Sequence, residues 1–257
     1  MADAPKPRAY VLLSGGKDSV TTAHYLAAHD MLAGCVAIDT GITVPEWEPF
    51  IRDLCAAQGW PLEIVSTSVS YEWLVLRFGF PGPGMHSIFM RWLKERGIDV
   101  FRKRHPGALL ASGVRKGESQ RRFGTVREWN VLGKMVVWAP LIDWTTEETW
   151  AYMRAHNLPR SPVYATLGVS GDCLCGAFAS KGEREAIADC HPAVDARLCA
   201  LERDVKGRWG QGRTSRGRTT RGEQLICVEC DPSGTPESGT RGTANAVSRS
   251  ASARDAD

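Results

Sequence analysis

Six consecutive residues, Ser14-Gly15-Gly16-Lys17-Asp18-Ser19, carry the clearest chemistry in the chain. Glycines let backbone N–H groups close on an anion, Lys17 adds a mobile cation, and Ser14 and Ser19 add hydroxyls. Tyr10–Leu13, just before them, are apolar or aromatic and read as a short strand buried on both faces. An amphipathic run from about Val20 to His29 predicts a helix directly after. Strand, glycine turn and helix N-terminus together form a phosphate cradle, to which the helix adds its partial positive charge. The spacing is not that of a Walker A loop, because the four-residue spacer before Gly-Lys is missing. An ordinary strand-to-helix turn also uses glycines and a capping Ser or Asp, so the strand–helix context is what sets this stretch apart.

Cysteine supplies the second set of reactive groups. Of eight in the chain, Cys35 falls in an apolar strand and Cys55 in a helix, where a free thiol behaves as a small hydrophobe. Cys173-x-Cys175 lies in a Gly-rich turn, SGDCLCG, and Cys227-x-x-Cys230 follows a basic stretch. Two such pairs supply four thiolates, enough for Zn²⁺ or a [4Fe–4S] cluster. Cys190 or Cys199 could replace one ligand. The plainer alternative is free or redox-paired thiols, with Cys227 and Cys230 as a dithiol. His191, before Pro192, reads as a helix-start residue, while His24, His29, His105 and His156 carry no signal.

These groups need a scaffold. Met31–Asp39, Leu62–Ser66 and Leu109–Gly113 predict further strands, with helices at Pro45–Gln58, Tyr71–Phe80 and Met85–Arg104, the last broken near Gly97. Val126–Val131 and Met135–Trp138 are short strand candidates paired across Leu132-Gly133. Thr145 caps a helix to His156, with Glu147 and Glu148 in its first turn. Helices at Lys181–Asp189 and Pro192–Lys206 flank Cys190-His191. The βαβ repeats predict an α/β fold: a doubly wound, Rossmann-like parallel sheet with a small Cys-bearing C-terminal segment. Ligands bind such sheets at the strands' carboxyl ends, where Ser14–Ser19 and Asp39-Thr40-Gly41 both fall.

The 257 residues, 43% of them hydrophobic, suffice for one large domain plus an appendage. We divide them into 1–178, a nucleotide-binding domain; 179–230, a helical and basic segment with the later cysteines; and 231–257, a tail expected to be disordered. The net charge of +3 hides an asymmetry: Lys206–Gly222 holds six Lys/Arg and no acid. Such a Gly/Arg stretch could track a nucleic-acid backbone, with Trp209 stacking on a base, or serve as a solvated linker. No run of eighteen apolar residues and no signal-peptide core occur, which predicts a soluble, cytoplasmic protein with no membrane partner.

The loop resembles the SGGxDS signature of the PP-loop ATP pyrophosphatases, which cleave ATP between its α and β phosphates. The order SGGKDS (14–19), DTG (39–41), GVRKGESQRR (113–122) and PLIDWTTEETWAYMRAHNLPRSPVY (140–164) is similar to the phosphoadenosine-phosphosulfate (PAPS) reductase family within that superfamily, over roughly residues 8–178. The resemblance implies an adenine nucleotide alpha hydrolase type of fold. It implies catalytic roles for Lys17, Asp18, Arg115 and Glu118. Nucleotide contacts would come from Ser14, Gly15, Gly16, Lys17, Asp18, Ser19, Asp39, Gly41, Gly113, Arg115, Ser119 and Arg122. ATP (or PAPS or adenylyl sulfate) with Mg²⁺ would be bound, and family context favours a [4Fe–4S] cluster over Zn²⁺ at Cys173, Cys175, Cys227 and Cys230. The loop is intact, as in the ATP-using relatives. The Cys-Cys pair of adenylyl-sulfate reductases is replaced by His86-Ser87-Ile88-Phe89, and the C-terminal Glu-Cys-Gly of PAPS reductases is echoed only by Glu229-Cys230-Asp231. The expected function is adenylylation of an unidentified acceptor for sulfur transfer, with a sulfur-donor or electron-donor protein as partner. The alternatives are reduction of PAPS or adenylyl sulfate, adenylyl transfer without sulfur, and a nucleic-acid-binding module with a structural nucleotide.

Overall fold

The βαβ repeat closes into a single sheet. A computed structural model of the chain describes residues 7–118, 126–132 and 135–212. It contains six strands in the order β3-β2-β1-β4-β6-β5: β1 (Ala9–Leu12), β2 (Leu32–Asp39), β3 (Leu62–Ser66), β4 (Leu109–Ala111), β5 (Trp129–Leu132) and β6 (Met135–Trp138). Every neighbouring pair runs parallel except β5 and β6, which form an antiparallel pair at one edge. The central β1, flanked by β2 and β4, is buried at Ala9 and Val11 on one face and half-buried at Tyr10 and Leu12 on the other. The chain first builds outward through β2 and β3, then returns to the other side of β1 with β4. That reversal opens a crevice at the carboxyl ends of β1 and β4, the place where doubly wound sheets bind ligands.

Helices α1 (Lys17–Ala28), α2 (Trp47–Gln58), α3 (Tyr71–Phe78), α4 (His86–Met90) and α5 (Arg96–Arg104) precede β4. After β6 come α6 (Thr146–Ala155), the short α7 (Tyr164–Leu167), α8 (Glu183–Cys190) and α9 (Pro192–Asp204). Thr145 caps α6 as expected, through a reciprocal box in which Thr145 Oγ1 accepts from the Glu148 amide and the Glu148 carboxylate accepts from the Thr145 amide. The Cys35 and Cys55 thiols face each other inside the core. Their mutual hydrogen bond and burial hold the Cys35 thiol far above its ordinary pKa, so it stays protonated. Among the described residues no helix is long and apolar enough to cross a membrane.

Several expectations are corrected. The helix of residues 86–104 is not broken at Gly97; its irregularity is a π-helical turn at Arg91–Glu95 between α4 and α5. Gly97 is instead a close-packing site, since a Cβ there would lie 2.8 Å from Ile38 Cγ2 on β2. The strand expected from Val126 starts only at Trp129, because the Asn130 side chain bonds both the amide and the carbonyl of Arg127 and holds a turn there. Short α7 was not anticipated. Trp209 does not stand among arginines awaiting a base: it is 2% exposed, and its Nε1 donates to the Leu174 carbonyl at 2.8 Å. Its indole packs against Gly176, where any Cβ would lie within 2.7 Å of Nε1. The proposed tail 231–257 lies outside the described residues.

Trp209 thus fastens the chain beyond α9 to the Cys173–Gly176 turn. Replacing it with Ala removes a buried aromatic and should lower stability by about 3–5 kcal/mol. Urea denaturation of the full chain would register this as a lower midpoint, and an unchanged midpoint would contradict the packing.

Candidate active site

The loop from Ser14 to Ser19 is held by its own side chains. Ser19 Oγ donates to the Gly16 carbonyl at 3.0 Å and accepts from the Ser14 amide at 3.3 Å. Trp47, buried on α2, donates from Nε1 to the Ser14 carbonyl at 2.8 Å. Gly15 adopts φ +89°, and a Cβ there would also press on Phe50 and Ile51 at 3.1–3.2 Å, so only glycine suits this position. Gly16 is the N-cap of α1 and, as a glycine, offers no side-chain cap to the first-turn amides; its own amide donates to Ser14 Oγ at 3.3 Å. A twelve-residue helix therefore presents first-turn N–H groups, flanked by Lys17 and two hydroxyls, to the crevice. This arrangement fits a polyphosphate.

Asp18, in the first turn of α1, is 6% exposed. Its Oδ1 accepts from Arg115 Nε at 2.7 Å, and its Oδ2 lies 3.1 Å from Lys17 Nζ. Arg115 is 1% exposed and also donates to the Trp144 carbonyl and Thr146 Oγ1 at 3.2 and 3.3 Å. The guanidinium is thus turned inward, tying α1 to the end of β4 and the start of α6. Gly113 permits this approach: a Cβ there would meet the Asp18 carbonyl carbon at 2.6 Å and the Ser19 nitrogen at 2.8 Å.

Across the crevice stands a second wall. The cleft is lined by Ser14, Gly16, Asp18 and Ser19 on one side and by Lys94, Asp172, Cys173, Cys175 and Glu183 on the other, with Ser112 and Gly113 at its base. Its cavity volume is about 70 Å³, several times what one water needs. Lys94 Nζ contacts Asp172 Oδ2 at 2.8 Å, both residues being buried. Ser170 Oγ donates to Asp172 Oδ1 at 2.9 Å, and Thr40 Oγ1 donates to the Asp172 carbonyl at 3.0 Å. Cys175 is buried and Cys173 half-buried. The Tyr71 hydroxyl donates to the Cys175 carbonyl at 2.9 Å, and burial, with the two nearby thiols, pushes the phenol well above its usual pKa. Burial also raises the Glu183 carboxyl, against hydrogen bonds from the Ser180 amide and hydroxyl.

The structure brings together Ser14, Gly16, Asp18, Ser19, Gly113, Cys173 and Cys175 around one cleft. Asp39 and Gly41 sit at the carboxyl end of β2 outside its lining; the Asp39 carboxylate accepts from the Gly41 amide at 2.8 Å, and Arg197 donates to the Gly41 carbonyl at 2.7 Å. Glu118 ends a short 3₁₀ turn, Lys116–Glu118. Ser119, Arg122, Cys227 and Cys230 lie outside the described residues. Among the described residues no three His, Cys, Asp or Glu side chains converge as metal ligands, so Cys173 and Cys175 form at most half of a four-thiolate set. Sequence reasoning missed Lys94, Asp172, Ser112 and Glu183. Asp172 borders Cys173 in the chain, a signal that could have been used. Lys94 gives none, because its direction depends on the π-helical turn, a device often found at functional sites.

The Lys94–Asp172 pair is open to a double-mutant cycle. Lys94→Met leaves a buried carboxylate without its ammonium and should cost about 3–5 kcal/mol. Adding Asp172→Asn should recover a large part of that loss. Additive losses in urea denaturation would contradict a coupled pair.

Residues 8–174 match the model of the phosphoadenosine phosphosulfate reductase domain. A tRNA(Ile)-lysidine synthase of Neisseria gonorrhoeae is 28% identical over 160 residues, 58% of this chain and 35% of that protein. A phosphoadenosine 5'-phosphosulfate reductase of Xanthomonas euvesicatoria is 27% identical over 155 residues, 59% of this chain and 64% of that protein. The chain therefore spans less than two thirds of either relative. Among solved structures, a PAPS reductase from Candida auris in complex with phosphate aligns with a TM-score of 0.46 at 17% identity, covering 62% of this chain and 76% of that one. The family model covers more than half of the sequence: the chain belongs to the phosphoadenosine phosphosulfate reductase family.

Proposed function

We propose that this chain is an ATP-using enzyme that adenylylates an acceptor and prepares it for sulfur transfer. One observation carries the reading: residues of the intact Ser14–Ser19 loop and the thiol-bearing Cys173 and Cys175 line the same cleft. In this reading the α1 amides, Gly15, Gly16 and Lys17 bind the polyphosphate, and the Ser14 and Ser19 hydroxyls add hydrogen bonds. Mg²⁺ arrives with ATP, held chiefly by phosphate oxygens, as is usual for this ion. An acceptor oxygen attacks the α phosphorus, the α–β P–O bond breaks, and pyrophosphate leaves with the developing charge facing Lys17 and the helix N-terminus. A sulfur nucleophile then displaces AMP from the acceptor.

Arg115 serves this scheme by fixing Asp18 and the loop. Cys173 and Cys175, with Cys227 and Cys230, are the residues that would hold a [4Fe–4S] cluster, which would supply an iron site for sulfur. A nucleic acid is a candidate acceptor, reached through the basic stretch 206–222, and a sulfur-donor protein a candidate partner. A second reading, reduction of PAPS or adenylyl sulfate with an electron donor, is favoured by the PAPS reductases among the relatives and by the two thiols on the cleft wall.

The two readings separate by substrate. The first predicts AMP and pyrophosphate from ATP in the presence of acceptor, falling about 100-fold or more in Lys17→Ala. Cys173→Ser and Cys175→Ser should retain ATP binding while losing the sulfur-dependent product. Sulfite released from PAPS or adenylyl sulfate without ATP, and lost in the same cysteine variants, would install the second reading instead.

A further inference from the structure

Ser112 directly follows β4 at the base of the cleft and belongs to no role assigned above. It is 2% exposed, its Oγ is buried with no hydrogen-bond partner among the described residues, and the residue lines the cleft. Its backbone is fixed on both sides. The Ser112 amide donates to the Trp138 carbonyl at 2.8 Å, and the adjoining Gly113 abuts the Asp18–Ser19 backbone. The hydroxyl is therefore held rigidly at the carboxyl end of β4, beside the first turn of the phosphate-binding helix.

A buried hydroxyl without a partner costs stability, and native proteins rarely keep one without a reason. Here the reason is its position. Ser14 and Ser19, on the loop between β1 and α1, line the same cleft, and a ligand oxygen reaching Ser112 meets a hydroxyl able to donate or accept. We infer that Ser112 is a ligand-binding residue of this cleft, whose hydroxyl hydrogen-bonds an oxygen of the bound nucleotide's sugar–phosphate. The inference rests on the nucleotide reading of the site and adds to it a contact from β4. Thr21 Oγ1 and His191 Nε2 are also buried without a partner among the described residues, yet neither residue lines the cleft.

The signature is a pair of effects with opposite consequences. Ser112→Ala should leave the thermal midpoint of the ligand-free full-length chain unchanged or raised, because an unsatisfied group has been removed. The same variant should weaken Mg·ATP binding about three- to tenfold in isothermal titration, the worth of one hydrogen bond. Ser112→Cys, nearly the same size and a weaker donor, should weaken binding in the same direction and guards against a folding defect in the Ala variant. Unchanged ATP affinity would overturn the inference. So would a lowered midpoint in the ligand-free variants, which would show the hydroxyl satisfied within the protein, directly or through a buried water. If the wild-type chain binds neither Mg·ATP nor PAPS, the nucleotide reading fails on its own. If PAPS alone binds, the same affinity comparison is made with PAPS.

Discussion

The structure turns on the contact between Asp18 and Arg115. It joins the first turn of the helix behind the phosphate loop to the residues leaving β4, and through Trp144 and Thr146 to the start of α6. Two charges this deeply buried are costly to desolvate, and the cost is offset only where geometry and extra hydrogen bonds are good. Asp18 meets that condition with a second cation, Lys17, and Arg115 meets it with a carbonyl and a hydroxyl. Removing either partner would strand the other, so the pair acts as a constraint on register between β1 and β4. That constraint keeps the crevice at the strand-order reversal in one shape.

The opposite wall is assembled from parts distant in sequence. Lys94 comes from the π-helical turn, Asp172 and the cysteines from the turn after α7, and Glu183 from the start of α8. Long-range bonds hold them: Thr40 reaches the Asp172 carbonyl from the end of β2, Tyr71 reaches the Cys175 carbonyl from α3, and Trp209 closes over Gly176. The segment after α9 is therefore part of the wall's support. The cysteine turn is thereby clamped between Tyr71 and Trp209.

Much of this was legible in the residue pattern. β1, the glycine loop, α1 and β3 follow from apolar runs, turn residues and periodicity, because their local preferences agree with the fold. Thr145 and Glu148 announce α6 through the spacing of a capping box. What failed to show depended on contacts between distant residues. Gly97 looks like a helix breaker until β2 is placed beneath it, where Ile38 leaves no room for a Cβ. Trp209 looks like a nucleic-acid contact because its neighbours are basic, whereas its burial is decided by Gly176, far back in the chain. Arg115 was legible as part of a family motif, yet no spacing rule tells whether a guanidinium faces a ligand or an internal carboxylate. Lys94 and Asp172 are recognisable only once the π-helical turn and the Cys-bearing turn meet.

The balance of charge then explains how such a cleft can accept a polyanion although carboxylates stand in its walls. A lone Asp18 within about 4 Å of a phosphate charge would oppose binding by about 4 kcal/mol at the effective dielectric near a protein surface. Here Asp18 is matched by Arg115 and Lys17, and Asp172 by Lys94. Burial raises the Glu183 carboxyl, against hydrogen bonds from the Ser180 amide and hydroxyl. What remains for an incoming ligand is the field of the uncapped α1 amides, which are neutral dipoles fixed in place before the ligand arrives. The inward turn of Arg115 is therefore consistent with phosphate binding: it removes the repulsion that would otherwise oppose the helix N-terminus, and leaves the anion to the backbone amides.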